Sequence, residues 1–463
     1  MDGPFIGVFK VKRIQNPEEV VNAKVIKPGS RIYAAGNAAT PQRLLAVLAA
    51  DDGIRQIELI GLLLLGDIDA LFSEASCRRI THRVIFNGPA SREATNQGRA
   101  KYQLLHLSDI PRQVQHHLKP NVAMISVNGP DNGGNYSLGT TVEAVLAAVE
   151  TVKRNGGVVI AERNSRMPFV LGGTIPGEMI DYLFDTDYAL PVSPVKPPDE
   201  AARRIGQIIA RHFVRDGATL QYGIGQVPEA VTDAILVKGV KDLGIHTELF
   251  ADAMQRLVEV GAVTNRHTFT HTNFAMACIF LASSQEGYDW LDYNSSVQSR
   301  PCDYTNNILN IARQPGMVAI NGAIGVDLHG NIWADSLQAR KIYSGVGGQS
   351  DFLRAASLSR GGVPIIALKS TTANGTSKIV DKCPEGITTT AIAADQVVIV
   401  TEHGAFDPRG LAFSERAVAI AHLAERQVRE QLLKAIYDSP EWHHPAEALK
   451  DGVPKGVIPY EKL

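Results

Sequence analysis

One carboxylate stands between two glycine-rich turns. Glu248 ends the run Gly244-Ile-His-Thr-Glu248, and apolar residues follow at Leu249, Ala253, Met254, Leu257 and Val258. That spacing predicts a helix with Glu248 in its first turn, at a strand-to-helix junction. A carboxylate there can merely complement the helix dipole, or it can act as a nucleophile toward an activated acyl group. Upstream, Tyr222-Gly-Ile-Gly-Gln-Val-Pro-Glu-Ala-Val231 joins an expected strand to an expected helix. Its glycines let backbone N–H groups approach a ligand and hold an anion or oxyanion. It lacks the third glycine of a dinucleotide fingerprint and the Lys-Ser/Thr pair of a P-loop. Downstream, Ser344-Gly-Val-Gly-Gly-Gln-Ser-Asp-Phe352 has the same character. Either turn alone reads equally as a tight connection or a flexible loop. Together they favour the nucleophile, because acyl transfer to a carboxylate needs oxyanion donors nearby.

Other candidates carry less. His267-Thr-Phe-Thr-His271 places two histidines at i, i+4 but lacks the glutamate of H-E-x-x-H and an evident third ligand, so no metal site is expected. No G-x-S-x-G elbow occurs, which disfavours a serine hydrolase of the α/β type. Cys77, Cys278, Cys302 and Cys383 form no C-x-x-C pair and read as small buried hydrophobes in a reducing compartment. His443 and His444 read as solvent-facing.

Short apolar runs alternate with helical patterns along the chain. Ile57-Glu-Leu-Ile60, Arg83-Val-Ile-Phe86, Val122–Val127 and Val158–Ala161 read as strands, and Thr141–Val149 as a helix. Pro191-Val-Ser-Pro-Val-Lys-Pro-Pro198 then interrupts, with four prolines in eight residues, which neither a helix nor a central strand accommodates. The alternation restarts with a helix from Glu200 to Val214 and a strand at Thr219–Tyr222, then strands at Met317–Ile320, Pro364–Leu368 and Val397–Val400. Ser126-Val-Asn-Gly in the first half echoes Ala319-Ile-Asn-Gly in the second. The expected fold is α/β: two related lobes, 1–192 and 193–463, each on a mainly parallel sheet. Ser414–Ile436 reads as a helix pair or one long helix, and Trp442–Leu463 as a surface tail.

With 44% hydrophobic and 20% charged residues and a net charge of -2, the 463-residue chain has ample core and no broad basic face. That excludes a typical nucleic-acid binder and a polybasic membrane anchor. The opening MDGPFIGVFKVKRI lacks the regions of a secretory leader, and no apolar run reaches the ~18 residues of a membrane span. A cytoplasmic location is the expectation.

Several motifs, in order, resemble the acetyl-CoA hydrolase/transferase family of class I CoA-transferases, closest to its 4-hydroxybutyrate CoA-transferase-like members. They are Gly223-Ile-Gly-Gln-Val-Pro228, Gly244–Glu248, Ala319–Gly322 with Val326–Asn331, Ser344–Phe352, Ser377–Val380 and Val400-Thr-Glu-His-Gly404. The resemblance implies that Glu248 is the nucleophile. It implies that Gly223, Ile224, Gly225, Gln226 and Val227 contact coenzyme A and supply an oxyanion amide. Asn321 and Gly345 would also line the CoA and acyl site. CoA would be a substrate, with no permanently bound cofactor and no metal. The partners implied are acyl-CoA and small carboxylic acids of the 4-hydroxybutyrate, butyrate, acetate, succinate or itaconate type. Water intercepting the intermediate would make the chain an acyl-CoA hydrolase instead, and a non-catalytic CoA-binding module is a third reading. Members are usually homo-oligomers, dimers or higher. Departures at His403, where tyrosine is frequent, around Ala373–Gly375 and at Gly36–Pro41 bear on acyl specificity.

Overall fold

A computed structural model describes residues 11–339 and 341–460. The first ten residues of the opening segment and the last three of the terminal one therefore lie outside the described residues. The chain forms two compact units. Unit 1 comprises residues 1–104, 109–192 and an excursion at 278–303; unit 2 comprises 105–108, 193–277 and 304–463.

Unit 1 is built on eight strands: β1 (Lys12–Arg13), β2 (Arg31–Ala34), β3 (Ile57–Leu62), β4 (Ile80–Phe86), β5 (Ala100–Tyr102), β6 (Val122–Val127), β7 (Val158–Asn164) and β8 (Tyr182–Thr186). They pair in the order β1-β8-β7-β6-β2-β3-β4-β5, every neighbour parallel. Central strands of a parallel sheet are covered on both faces, which is why they appear in sequence as unbroken apolar runs. Val122–Val127 is buried at every position. Helix α1 (Gln42–Ala50) seats Leu44, Leu45 and Leu48 in the core beside Ile32, Leu59 and Ile80.

The expected helix at Thr141–Val149 begins later, as α2 (Val145–Arg154). Glu143 explains the delay. Its φ is 25°, outside the right-handed helical region, and its carboxyl is fully buried. Tyr33 Oη donates to Glu143 Oε1 at 3.1 Å, and the N–H groups of Ala144 and Gly36 bond the same carboxyl. Burial nevertheless dominates and pushes its pKa from 4.5 to about 8. An acid whose folded pKa is raised favours the fold in its protonated form. That contribution is complete below the unfolded value and is lost as pH rises through about 8. Glu143→Gln should therefore match the parent near pH 5 and exceed it in melting temperature above about pH 8, as thermal unfolding at the two pH values would report.

Unit 2 carries seven strands: β9 (Thr219–Tyr222), β10 (Gly244–Ile245), β11 (Met317–Asn321), β12 (Val363–Ala367), β13 (Val398–Thr401), β14 (Gly404–Phe406) and β15 (Val457–Pro459). The order is β10-β9-β11-β12-β13-β14-β15, parallel through β13 and antiparallel beyond it. Helix α3 (Glu200–Phe213) packs against α4 (Gln226–Lys238) at a close contact, since a Cβ on Gly206 would overlap the Ala230 backbone. The C-terminal helices are a pair, α7 (Phe413–Ala421) and α8 (Arg426–Asp438). The segment read as a surface tail is built into the unit. Trp442 is 1% exposed and stacks on Phe413, and β15 closes the sheet edge against β14.

Candidate active site

Sheet order alone marks one place in unit 2. From β9 the chain goes outward to β10 on one side and to β11 on the other, so the direction of winding reverses between β9 and β11. In open α/β sheets, ligands bind beyond the carboxyl ends of the strands at such a reversal. Three of the sequence motifs end there: Gly223–Val227 follows β9, Asn321 ends β11, and Glu248 lies three residues beyond β10.

Glu248 is not in the first turn of a helix. It precedes the two-residue strand Leu249–Phe250, and helix α5 (Asp252–Glu259) has Asp252 as the acid of its first turn. The reason is local pairing. His246 N donates to Leu220 O at 3.2 Å and Thr247 N to Met276 O at 3.0 Å, which keeps the backbone extended past β10. Glu248 therefore does not sit in the first turn of the helix that follows it in sequence.

The Glu248 carboxylate is held by donors from two directions. Asn306 Nδ2 donates to Oε2 at 3.1 Å, and the Gly348 N–H bonds the same carboxylate. Gly348 is the N-cap of α6 (Gln349–Leu358), so the carboxylate also meets the positive end of a ten-residue helix. A Cβ on Gly348 would overlap both Glu248 Oε2 and Asn306 Nδ2. Desolvation still dominates: it raises the Glu248 pKa from 4.5 to about 7, with Asp351 repelling the charge and Asn306 and Gly348 opposing the rise. The residue keeps partial access to solvent. A carboxylate more basic than usual is a better nucleophile once ionised.

Asn306 has no distinguishing motif in the sequence, yet it is fixed from behind. Thr305 Oγ1 donates to Asn306 Oδ1 at 2.8 Å, which turns the amide's N–H groups toward Glu248. His246 Nε2 lies 2.7 Å from Thr305 O. A carbonyl only accepts, so the ring proton sits on Nε2, and burial lowers the His246 pKa to about 4, keeping the ring neutral. The Gly348 loop is pinned likewise. Leu107 N donates to Gly347 O at 3.0 Å, and Ser108 Oγ donates to Asp351 at 2.8 Å.

The remaining expected residues divide. Asn321 and Gln221 exchange two amide hydrogen bonds of 3.0 and 3.3 Å across the β9–β11 reversal, and Gln349 Nε2 donates to Gly322 O at 2.6 Å, tying α6 to that strand end. Gly345 is buried in the second glycine loop, three residues before Gly348. In the first loop, Gly223 and Gly225 have open space where a Cβ would stand, Ile224 is exposed, and Gln226 accepts from Lys369 and donates to Pro197 O. Val227 is half-buried in the first turn of α4. That loop lies at the same sheet edge as Glu248. Among the described residues, no group of three or more His, Cys, Asp or Glu is arranged for a metal, and no helix is long and apolar enough to cross a membrane.

The comparisons with known proteins agree with this architecture. The N-terminal domain model of the acetyl-CoA hydrolase/transferase family matches residues 10–194, and the C-terminal domain model matches 283–436. The chain belongs to that family, a family of enzymes. It is 33% identical to the 4-hydroxybutyrate coenzyme A transferase of Clostridium kluyveri, over 88% of this chain and 94% of that one. It is 34% identical to a succinyl-CoA:acetate/propanoyl-CoA:succinate CoA transferase of Fasciola hepatica, over 89% and 86%. Among solved structures, RipA from Yersinia pestis superposes with a TM-score of 0.84 at 28% identity, covering 94% of this chain and 98% of RipA.

Proposed function

We propose that this protein is a CoA-transferase that moves CoA between a short-chain acyl-CoA and a free carboxylate through a thioester on Glu248. The observation that carries the reading is the Glu248 carboxylate, desolvated and held by Asn306 at Oε2 and by the Gly348 N–H. A carboxylate oxygen attacks the thioester carbonyl. The new O–C bond gives an acyl-glutamyl anhydride, and the C–S bond breaks to expel CoA thiolate. The thiolate then attacks the glutamyl carbonyl and displaces the first acid as its carboxylate, which leaves glutamyl-CoA. An acceptor carboxylate repeats both steps in reverse and regenerates Glu248. In each attack on the glutamyl carbonyl, negative charge builds on a carboxyl oxygen, and Asn306 and the Gly348 N–H already stand at that group as donors. Gly223–Val227, with no Cβ at two positions, fits close approach of CoA to backbone. Asn321 and Gly345 complete the same edge.

The relatives' names include donors and acceptors such as 4-hydroxybutyrate, succinate, butyrate and acetate, and acids of that size are the proposed substrates. The transferases named above match more closely than the acetyl-CoA hydrolase of Neurospora crassa, at 26% identity, which favours transfer over hydrolysis. A cytoplasmic homo-oligomer with no resident cofactor fits this chemistry. The test is to incubate the protein with butyryl-CoA, with and without acetate. Acetyl-CoA should form only with acetate present. Free CoA released at the same rate in both would make the protein a hydrolase.

Asn306→Ala removes one donor. The rate should fall about 10²- to 10³-fold. Because the Asn306 bond lowers the Glu248 pKa, its loss should also move the acidic limb of the kcat/KM profile to higher pH. A rate loss without that movement would mean that Asn306 acts only on the fold.

A further inference from the structure

The amino-terminal edge of the unit 1 sheet, at the opposite end of the strands from where an α/β fold ordinarily binds ligands, is a basic cleft. Register sets Arg31, Glu58 and Thr81 abreast on β2, β3 and β4, with Arg83 beside Lys101 two residues further on. Strands alternate their faces, so these five side chains belong to one face. A parallel sheet normally covers both faces with apolar layers; here the amino-terminal end of this face is polar and opens into a cavity of about 910 Å³, while further along the strands Tyr33, Ile60 and Ile85 on the same face are buried. Arg55 and Arg78 join its lining from the segments that lead into β3 and β4.

The charges there are unbalanced. Glu58, the one acid in the lining, is taken by Arg83 at 2.7 Å, and Arg79 is occupied with carbonyls of α1 and the turn after it. Within the described residues the Arg31 and Lys101 side chains make no ion pair or hydrogen bond, and Arg55 spends only its Nε, on Asp52 O. Arg78 has only a long, exposed contact of 3.7 Å with Glu74. Arg31, Arg55 and Lys101, from three separate segments, thus border one cavity without a counter-charge; Arg78 is a fourth cation there, paired only at 3.7 Å with Glu74, and none of the four belongs to the Glu248 site.

We propose that this cleft binds a polyphosphate group, free or carried by a nucleotide, as a site separate from the proposed chemistry. The cavity lies within the roughly 300–1,000 Å³ of small-ligand sites. Three of the four cations are arginines, whose planar forks pair bidentately with phosphate oxygens. Thr81 adds a hydroxyl at the cleft floor, and Gly29 and Gly53 leave backbone unshielded at its rim.

Calorimetric titration with inorganic tripolyphosphate and with ATP, at about 0.15 M salt, tests this with AMP and sulfate as lower-charge controls. The expected result is saturable binding of tripolyphosphate or ATP that the paired substitution Arg31→Glu with Lys101→Glu weakens about tenfold or more. Lys434→Glu, a charge reversal on the α8 surface of unit 2, should leave it unchanged. Equal affinity for the two ligands assigns recognition to the phosphates alone; tighter ATP binding adds a contact to the nucleoside. Absence of binding, binding that the paired substitution does not weaken, or equal weakening by Lys434→Glu overturns the proposal. The measurement needs no turnover, so its outcome is independent of the transferase assay.

Discussion

Glu248→Ala abolishes CoA transfer and leaves the fold intact. The carboxylate makes the covalent bond in the proposed route, so no neighbouring group can take its place: Asn306 is a neutral amide whose Oδ1 already accepts from Thr305, and Asp351 is held by Ser108. Its removal leaves the Asn306 amide and the Gly348 N–H without an acceptor, at a cost of about 1–3 kcal/mol each if they stay dry. Against that stands relief of a desolvated acid repelled by Asp351. The balance predicts a folded, inactive protein, checked by circular dichroism beside the acetate-dependent assay. In the parent, Glu248 must be ionised to attack, and its raised pKa places the acidic limb of kcat/KM near pH 7, with activity falling below it. Loading the parent with acyl-CoA alone and reducing with borohydride should convert the glutamyl thioester to an alcohol. Peptide mapping should find that change on the fragment carrying His246-Thr247-Glu248. Label on another carboxylate, or near-normal turnover by the alanine variant, would sink the assignment.

Much of this was legible because buried parallel strands announce themselves. Val122–Val127 and Met317–Asn321 are apolar runs bounded by turns, since both faces of each strand lie under cover. Glu248 was legible as chemistry and misplaced as structure. Apolar spacing after it suggested an immediate helix, while pairing of His246 and Thr247 with residues distant in sequence held the chain extended. Asn306 was not legible at all. It lies 58 residues from its partner, and Tyr304-Thr-Asn-Asn307 has neither period nor motif; only the fold brings it to Glu248. Trp442 failed for a related reason: the polar residues around it read as a tail, and what buries it is Phe413, His329 and the unit 2 core it joins. The glycine loops divide along the same line. Spacing made them equal, whereas geometry gives Gly348 a direct bond to the carboxylate and leaves Gly223 facing open space.

That division yields a contrast between two chemically identical substitutions. Gly348→Ala inactivates the enzyme, and Gly223→Ala does not. At Gly348 the backbone is in an ordinary conformation, φ −99° and ψ 9°, so alanine adds no strain of its own and keeps the N–H donor. What it adds is a methyl group in the space already filled by Glu248 Oε2 and Asn306 Nδ2. Either the carboxylate swings away from Asn306 or the loop retreats from Glu248, and the loop is tethered by Leu107 and Ser108. Displacement of a reacting group by about an ångström costs on the order of 100-fold in rate, so kcat should fall at least that far while thermal stability changes little. At Gly223 a Cβ meets nothing within 4 Å, so the free protein tolerates alanine. Its methyl group would obstruct only a ligand lying against the loop, raising KM for acyl-CoA with kcat nearly kept. Steady-state kinetics on the two variants separates these effects. A Gly348→Ala enzyme with parental kcat would show that the Glu248–Gly348 contact has no part in the chemistry.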